Sequence, residues 1–202
     1  LKTLLATYLS FEGAKALITT AASIEDGFIG IAKTTGLTGE AMDGLKEKIF
    51  DLSTSMAGIS IEGLQKIAET AGQLGIQGTD NILEFTEVIA KMALTTEMSA
   101  EESAKAMAQL GNSLKIPIAE YSNLASAINE LSNTTSASAK DIVNYGQRIA
   151  GVGTTFGLTA DEILAFGATL QGLGINAELG GTAISEMMMQ MLKDTEGFAK
   201  VA

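Results

Sequence analysis

Gly157-Leu158-Thr159-Ala160-Asp161-Glu162-Ile163-Leu164-Ala165 reads as the start of a helix. The Thr159 hydroxyl can accept a hydrogen bond from the backbone N–H of Glu162. The Glu162 carboxylate can accept one from the N–H of Thr159, completing a capping box. Behind this start, Ile163, Phe166, Leu170 and Leu173 recur at helical spacing and mark one apolar stripe. Gly174 then supplies a residue that tolerates left-handed backbone where a helix stops. Five other stretches open alike: Gly36-Leu37-Thr38, Gly58-Ile59-Ser60, Gly78-Thr79-Asp80, Met98-Ser99-Ala100-Glu101-Glu102 and Ser138-Ala139-Lys140-Asp141. With caps at Thr38, Ser60, Thr79, Ser99, Ser138 and Thr159, the intervals are 22, 19, 20, 39 and 21 residues. Pro117, suited to a first helical turn, nearly halves the long interval.

The stripes repeat along the chain. Met42, Leu45, Ile49 and Leu52 share one spacing with Leu64, Ile67, Ala71 and Leu74. Ile82, Phe85, Ile89 and Met92 follow it, as do Ile142, Tyr145, Ile149 and Val152. Each such face must be buried against a neighbour. In the run Met187-Met188-Met189-Gln190-Met191, the stripe assigns Met187, Met188 and Met191 to the core and leaves Met189 for a partner. Gly75, Gly111, Gly153 and Gly174 follow apolar stripes and are expected to end helices. No stretch alternates strictly, so strands are not expected. The expectation is an all-α array of about nine or ten short helices, each of roughly 12–18 residues, joined by short turns into a compact bundle or stacked helical hairpins. Residues 1–35 read as N-terminal helices, one over Leu4–Ala22 and another starting at Ser23, continuing from a longer chain. The start at Leu1 rather than Met supports that expectation. Residues 36–202 read as one helical core domain.

A longer period lies beneath the short one. Gly58-Ile59-Ser60 leads to Leu74-Gly75-Ile76 as Gly157-Leu158-Thr159 leads to Leu173-Gly174-Ile175, at an offset of 99 residues throughout. Similar helices needing similar caps, or an old duplication, both account for this.

Composition excludes most chemistry. The net charge is −11, from 24 acidic and 13 basic residues, and the single arginine, Arg148, is scattered with the lysines. A phosphate backbone repels such a chain, so direct nucleic-acid recognition is not expected. There is no histidine and no cysteine, which removes the commonest general base and metal ligand, thiolate chemistry and disulfides. Without His a Ser–His–Asp triad cannot be assembled. The adjacent carboxylates Glu25/Asp26, Glu101/Glu102 and Asp161/Glu162 read as first-turn residues complementing helix dipoles. Gly151-Val152-Gly153 and Gly172-Leu173-Gly174 lack the Lys-Ser or Lys-Thr of a phosphate loop. No catalytic, cofactor-binding or metal-binding residue is assigned, and an enzyme is not expected. The longest uncharged stretch, Ile163 to Ala177, has 15 residues, short of the roughly 20 apolar residues of a membrane span. No signal peptide is read, and the chain is expected to be soluble.

Several runs together resemble one family. They are Ile59-Ser60-Ile61-Glu62-Gly63-Leu64, Ala71-Gly72-Gln73-Leu74-Gly75-Ile76-Gln77-Gly78, Asp80-Asn81-Ile82-Leu83-Glu84-Phe85-Thr86, Gly157 through Ala165, and Gly181-Thr182-Ala183-Ile184. In one register over residues 24–195 the chain resembles the core region of phage tail tape-measure proteins. The resemblance implies a structural role in a phage or prophage tail. Such a protein occupies the tail lumen during assembly, sets tail length, and leaves ahead of DNA on ejection. Tail-tube subunits, tail assembly chaperones and tail-tip proteins are the implied partners, with room for self-association and with membrane contact confined to ejection. The implied location is the virion tail, and the bacterial host cytoplasm during assembly. The family has no catalytic residues to carry over. Two other readings compete. A helical-repeat adaptor would show an exposed apolar groove for protein partners. A membrane-active helical segment would suit the mean hydropathy of +0.25, but acidic charge opposes binding to anionic lipid.

Overall fold

The computed structural model describes residues 21–194, and the expected helix over Leu4–Ala22 lies, up to residue 20, outside them. All regular structure among the described residues is helical. The elements are α1 at 21–35, α2 (Gly39–Ser55), α3 (Ile61–Gln73), α4 (Thr79–Thr95), α5 (Ala100–Leu114), a 3-10 turn (Ile118–Glu120), α6 (Tyr121–Thr134), α7 (Ala139–Phe156), α8 (Ala160–Gly172) and α9 (Ala177–Lys193). The chain divides into two compact units, Leu1–Thr86 and Glu87–Ala202, with the boundary inside α4.

Local chemistry sets the helix starts. Ser60, Ser99, Ser138 and Thr159 each accept a hydrogen bond from the backbone N–H three residues on, and the last three complete capping boxes with Glu102, Asp141 and Glu162. Each such cap is worth about 1 kcal/mol. Two expected caps differ. Thr38 caps α2 through extended backbone without a side-chain bond. Thr79 is the first helical residue of α4, not its cap. Ser23 lies within α1, which is already helical at residue 21, so no new helix starts there. Pro117 precedes the 3-10 turn that leads into α6 rather than sitting in a helical turn.

The stops divide into two kinds. Gly75 (φ 82°) and Gly174 (φ 78°) are left-handed, and the N–H groups of Ile76 and Ile175 reach back to the carbonyls of Ala71 and Leu170. That is a Schellman closure. Gly111 and Gly153 instead lie inside α5 and α7, which end at Lys115 (φ 57°) and Gly157 (φ 91°). Gly111 is small because the Tyr121 ring fills the space a Cβ would need. At Gly153 an added Cβ would come 2.8 Å from Ile163 Cδ1. Close packing, not helix termination, explains both.

In the first unit, Phe28 and Ile31 of α1, Met42, Leu45 and Ile49 of α2, and Leu64, Ile67 and Ala71 of α3 form the core. Gln65 is buried among them and donates from Nε2 to the Ile24 carbonyl at 2.8 Å. Lys46 lies 5.5 Å from the centroid of the Phe28 ring.

In the second unit, α7 packs against α5, α6, α8 and α9. Tyr145 is its fully buried wedge. The Tyr145 hydroxyl donates to the Ile175 carbonyl in the turn before α9. Its ring and Cβ occupy room left by Gly167 and Gly180, where an added Cβ would lie 2.6 Å from Tyr145 Cβ and 2.5 Å from the hydroxyl oxygen. Burying a Leu or Ile is worth about 1.5–3 kcal/mol. An exposed pair such as Lys105–Glu101 at 2.6 Å is worth about 0.3–0.5 kcal/mol. Core contacts therefore hold each unit, and surface ion pairs adjust it.

The 99-residue period extends to backbone geometry. Helices α3 and α8 each have 13 residues. Their C-caps Leu74 and Leu173 share φ/ψ of −83°/2° and −81°/2°. Their approach glycines Gly58 and Gly157 have φ 101° and 91°. The turns that join successive helices also share a device. Thr35 Oγ1 donates to the Ile31 carbonyl at 2.7 Å and accepts from Leu37 N–H at 3.3 Å. Thr135 repeats this with the Leu131 carbonyl at 2.8 Å and Ala137 N–H at 3.2 Å. Thr96 makes the same connector, with the Met92 carbonyl at 2.8 Å and Met98 N–H at 3.3 Å, so the device belongs to helix-to-helix turns in this chain and not to the 99-residue period. The equal lengths and turn angles of α3 and α8 fit both shared local chemistry and duplication.

Two glycines of the second unit test the packing account. Gly151 of α7 faces open space, so Gly151→Ala is expected to stabilise by about 0.5–1 kcal/mol through helix propensity. Gly167→Ala forces a methyl against Tyr145 and is expected to cost about 1–3 kcal/mol. Denaturant unfolding distinguishes them, and a harmless Gly167→Ala would refute the wedge.

Candidate functional site

The acidic pairs resolve into structural duties. Glu102 accepts from Ser99 N–H at 3.1 Å and from Lys140 Nζ at 2.8 Å. Its neighbour Glu101 pairs with Lys105 at 2.6 Å. Glu162 closes the Thr159 box, its carboxylate 2.8 Å from the Thr159 N. Glu25 pairs with Lys46 at 3.6 Å. Because α1 is helical from residue 21, the first-turn explanation does not hold for Glu25/Asp26. Among the described residues no group of three His, Cys, Asp or Glu side chains could hold a metal ion. Gly151-Val152-Gly153 lies within α7, and Gly172-Leu173-Gly174 is the end of α8. Neither forms a phosphate loop.

Around Lys140 these carboxylates make a staple between the starts of α5 and α7. The Glu97 carboxylate accepts the Lys140 backbone N–H at 2.8 Å, and the Lys140 ammonium reaches Glu102. The Lys140 hydrogen bond first, then those from Ser99, hold the Glu102 carboxyl down to about 2. Burial pushes Glu97 up, but hydrogen bonds led by that from Lys140 N–H outweigh it, and its carboxyl stays below the ordinary value.

What remains is surface. Leu173 (71% exposed), Ile175, Leu179 (74% exposed), Met187, Met189 and Leu192 make up six of the ten large apolar side chains left exposed among the described residues. All lie from the end of α8 through α9. An open groove of about 790 Å³ runs along α9, with Arg148 and Val152 of α7 on one wall and Met187, Met189 and Lys193 on the other. Gly181 admits the Arg148 stem, whose Cδ would lie 2.9 Å from an added Cβ. A concentration of exposed apolar side chains of this kind marks a contact surface.

The sequence placed part of this region correctly. Met188 is buried at 7% exposure, and Met189 is exposed at 48%. Met187, expected in the core, is instead 46% exposed. Leu173, placed on the α8 stripe, projects outward from the C-cap position. Periodicity shows which side chains share a face, but not whether another helix covers it. No sequence signal singled out Leu179.

The staple makes a pH prediction. A carboxylate whose folded pKa lies below its ordinary value stabilises the fold above that ordinary value and loses the contribution as pH falls through the folded pKa. For Glu102 the window runs from 4.5 down to about 2. Glu102→Gln should therefore melt below the wild type at pH 7, and the gap should close as pH approaches 2. Circular dichroism melts across this range check it, and a gap independent of pH would contradict it.

Among the described residues no helix is long and apolar enough to cross a membrane. No curated protein and no solved structure matches the chain. A family model described as phage-related minor tail protein matches residues 46–202. That span covers α3 to α9, both the staple and the exposed α9 surface, and it supports a structural role among the components of a phage tail. This chain belongs to the phage-related minor tail protein family.

Proposed function

We propose that this chain is the core of a tail tape measure, a structural rather than catalytic component that sets tail length during assembly and leaves the tail lumen before DNA is ejected. The family match over residues 46–202 carries the reading. The resemblance over residues 24–195 narrows it. The composition agrees, because a chain lacking His and Cys is poorly equipped for catalysis and well equipped for helical length. Tail-tube subunits, assembly chaperones and tail-tip proteins are the proposed partners. The virion tail is the proposed location, reached through the host cytoplasm.

Physical properties of the helices support such use. They are short, separately capped and joined by brief turns, so one helix can detach without breaking the hydrogen bonds of the next. A compact unit can then lengthen in steps. Each residue kept in a helix spans about 1.5 Å. The exposed groove of α9 would also suit the adaptor reading, but in a tail protein it serves contact with other tail components equally well.

Tail length measures the proposal. Deleting one 99-residue repeat from the complete tail gene should shorten tails by ~150 Å, at about 1.5 Å per residue. Duplicating it should lengthen them by the same amount, which guards against a deletion that merely fails to assemble. Electron microscopy of the particles gives the lengths. Tails of unchanged length in both strains would overturn the tape-measure reading while leaving the family membership intact.

A further inference from the structure

Two of the joints between described helices differ from the rest. Left-handed glycines interrupt the others at Gly36 and Gly39, at Gly58, at Gly75 and Gly78, at Gly157 and at Gly174. Between α5 and α6 the left-handed Lys115 and Pro117 do so. Residues 96–99, between α4 and α5, and 135–138, between α6 and α7, contain no glycine, no proline and no positive φ. Their backbone is extended instead, with φ/ψ of −122°/177° at Thr135, −72°/158° at Ser138 and −65°/160° at Ser99. At Ser99 and Ser138 φ already suits a helix, and rotation about ψ alone separates the bent form from a straight one.

The apolar stripes run through both joints without a change of phase. Tyr121, Leu124, Ile128 and Leu131 of α6 lead through Thr135 and Ser138 to Ile142, Tyr145, Ile149 and Val152 of α7, at alternating intervals of three and four. Ile82, Phe85, Ile89 and Met92 lead in the same way through Thr96 and Ser99 to Ser103, Ala106 and Leu110. Packing asks only that each stripe face its own core, whereas an unbroken alternation keeps one seam along one continuous helix. The α2 stripe shows the contrast: continued past Leu52 it would reach residues 63 and 66, but α3 uses Leu64 and Ile67. The α7 phase also carries on through Phe156 and Thr159 to Ile163, but Gly157 (φ 91°) stands in that joint. Phase and backbone together single out 96–99 and 135–138.

Side chains stand in for backbone where α6 meets α7. Thr135 Oγ1 accepts the Ala137 N–H at 3.2 Å, and the Asp141 carboxylate accepts the Ser138 N–H at 3.4 Å. In a straight helix those two N–H groups would bond the carbonyls of Asn133 and Thr134, so straightening exchanges hydrogen bonds rather than losing them. What fixes the bent form is tertiary. Helix α7 packs on α5, α8 and α9, and Glu97, within the other joint, holds the Lys140 N–H at 2.8 Å. In a straight helix that N–H would serve the Ser136 carbonyl instead.

We propose, resting on the tape-measure reading, that residues 135–138 are a switch: when the second unit opens during tail assembly, α6 and α7 straighten into one helix over residues 121–156, and the Glu97–Lys140 contact is the latch that releases it. The resulting rod is about 54 Å long, at about 1.5 Å per residue, and keeps its apolar side chains on one seam.

Spin labels at Asn123 and Thr155, both exposed, measure the switch by double electron–electron resonance. They are introduced as non-natural residues, in the 202-residue chain and in the complete tail protein within particles. In one continuous helix the two positions stand about 48 Å apart. The isolated chain, where α7 packs against α6, should give a much shorter distance, and assembled tails the longer one. Ser136→Pro supplies a second arm. Residue 136 is exposed and follows an extended Thr135, as the residue before a proline must be, so the isolated variant should melt within a few degrees of the wild type. In a continuous helix the same proline removes a backbone bond and clashes with the preceding turn, so tails carrying it should lose the longer distance. Tails that keep the isolated chain's distance would overturn the switch, as would a longer distance that survives Ser136→Pro unchanged. A variant that fails to fold leaves the wild-type comparison to decide. Overturning the switch while deletion of one repeat still shortens tails would leave the tape-measure reading standing.

Discussion

The second unit depends on the fit of Tyr145 between two glycines. The ring is fully buried on α7, and α8 and α9 can approach it only because Gly167 and Gly180 carry no side chain there. The hydroxyl then bonds the Ile175 carbonyl, so the wedge that spaces the helices also closes the turn joining them. A buried phenol without that acceptor would cost about 1–3 kcal/mol. Placement of α9, and with it the direction in which its Met187 flank faces, follows from this contact.

Two parts of this chain use closely similar local structure in different surroundings. Helices α3 and α8 share a glycine approach and a Schellman stop. The helices that follow them, α4 and α9, differ in what surrounds them. The α4 stripe continues into a flank facing α6, while the α9 flank carries exposed methionines. A tail protein needs such surfaces more than it needs reactive groups.

Much of the fold was legible because its signals are local. Ser60, Ser99, Ser138 and Thr159 cap through bonds spanning three residues, and Gly75 and Gly174 close helices through their own turns. Signals that depend on distant partners were not legible. Gly111 and Gly153 resemble helix stops in sequence, but Tyr121 and Ile163 require their small size. The connectors at Thr35, Thr96 and Thr135 were not legible because an isolated threonine is uninformative until its carbonyl partner is known. The contact surface was half legible: Met189 fell off the stripe, whereas Met187 lay on it and is nevertheless exposed. Which flank lacks a neighbour is a property of tertiary arrangement.

The proposed tape-measure role asks compact helices to stay folded before assembly and to yield in order. Amide hydrogen exchange, resolved helix by helix on the intact chain, measures that order directly. The α7 amides around Tyr145 should exchange slowest in the second unit, and α9 should open with a lower free energy than global unfolding. Equal protection of α7 and α9, lost in a single cooperative step, would contradict an α7-anchored fold that releases its helices from the end.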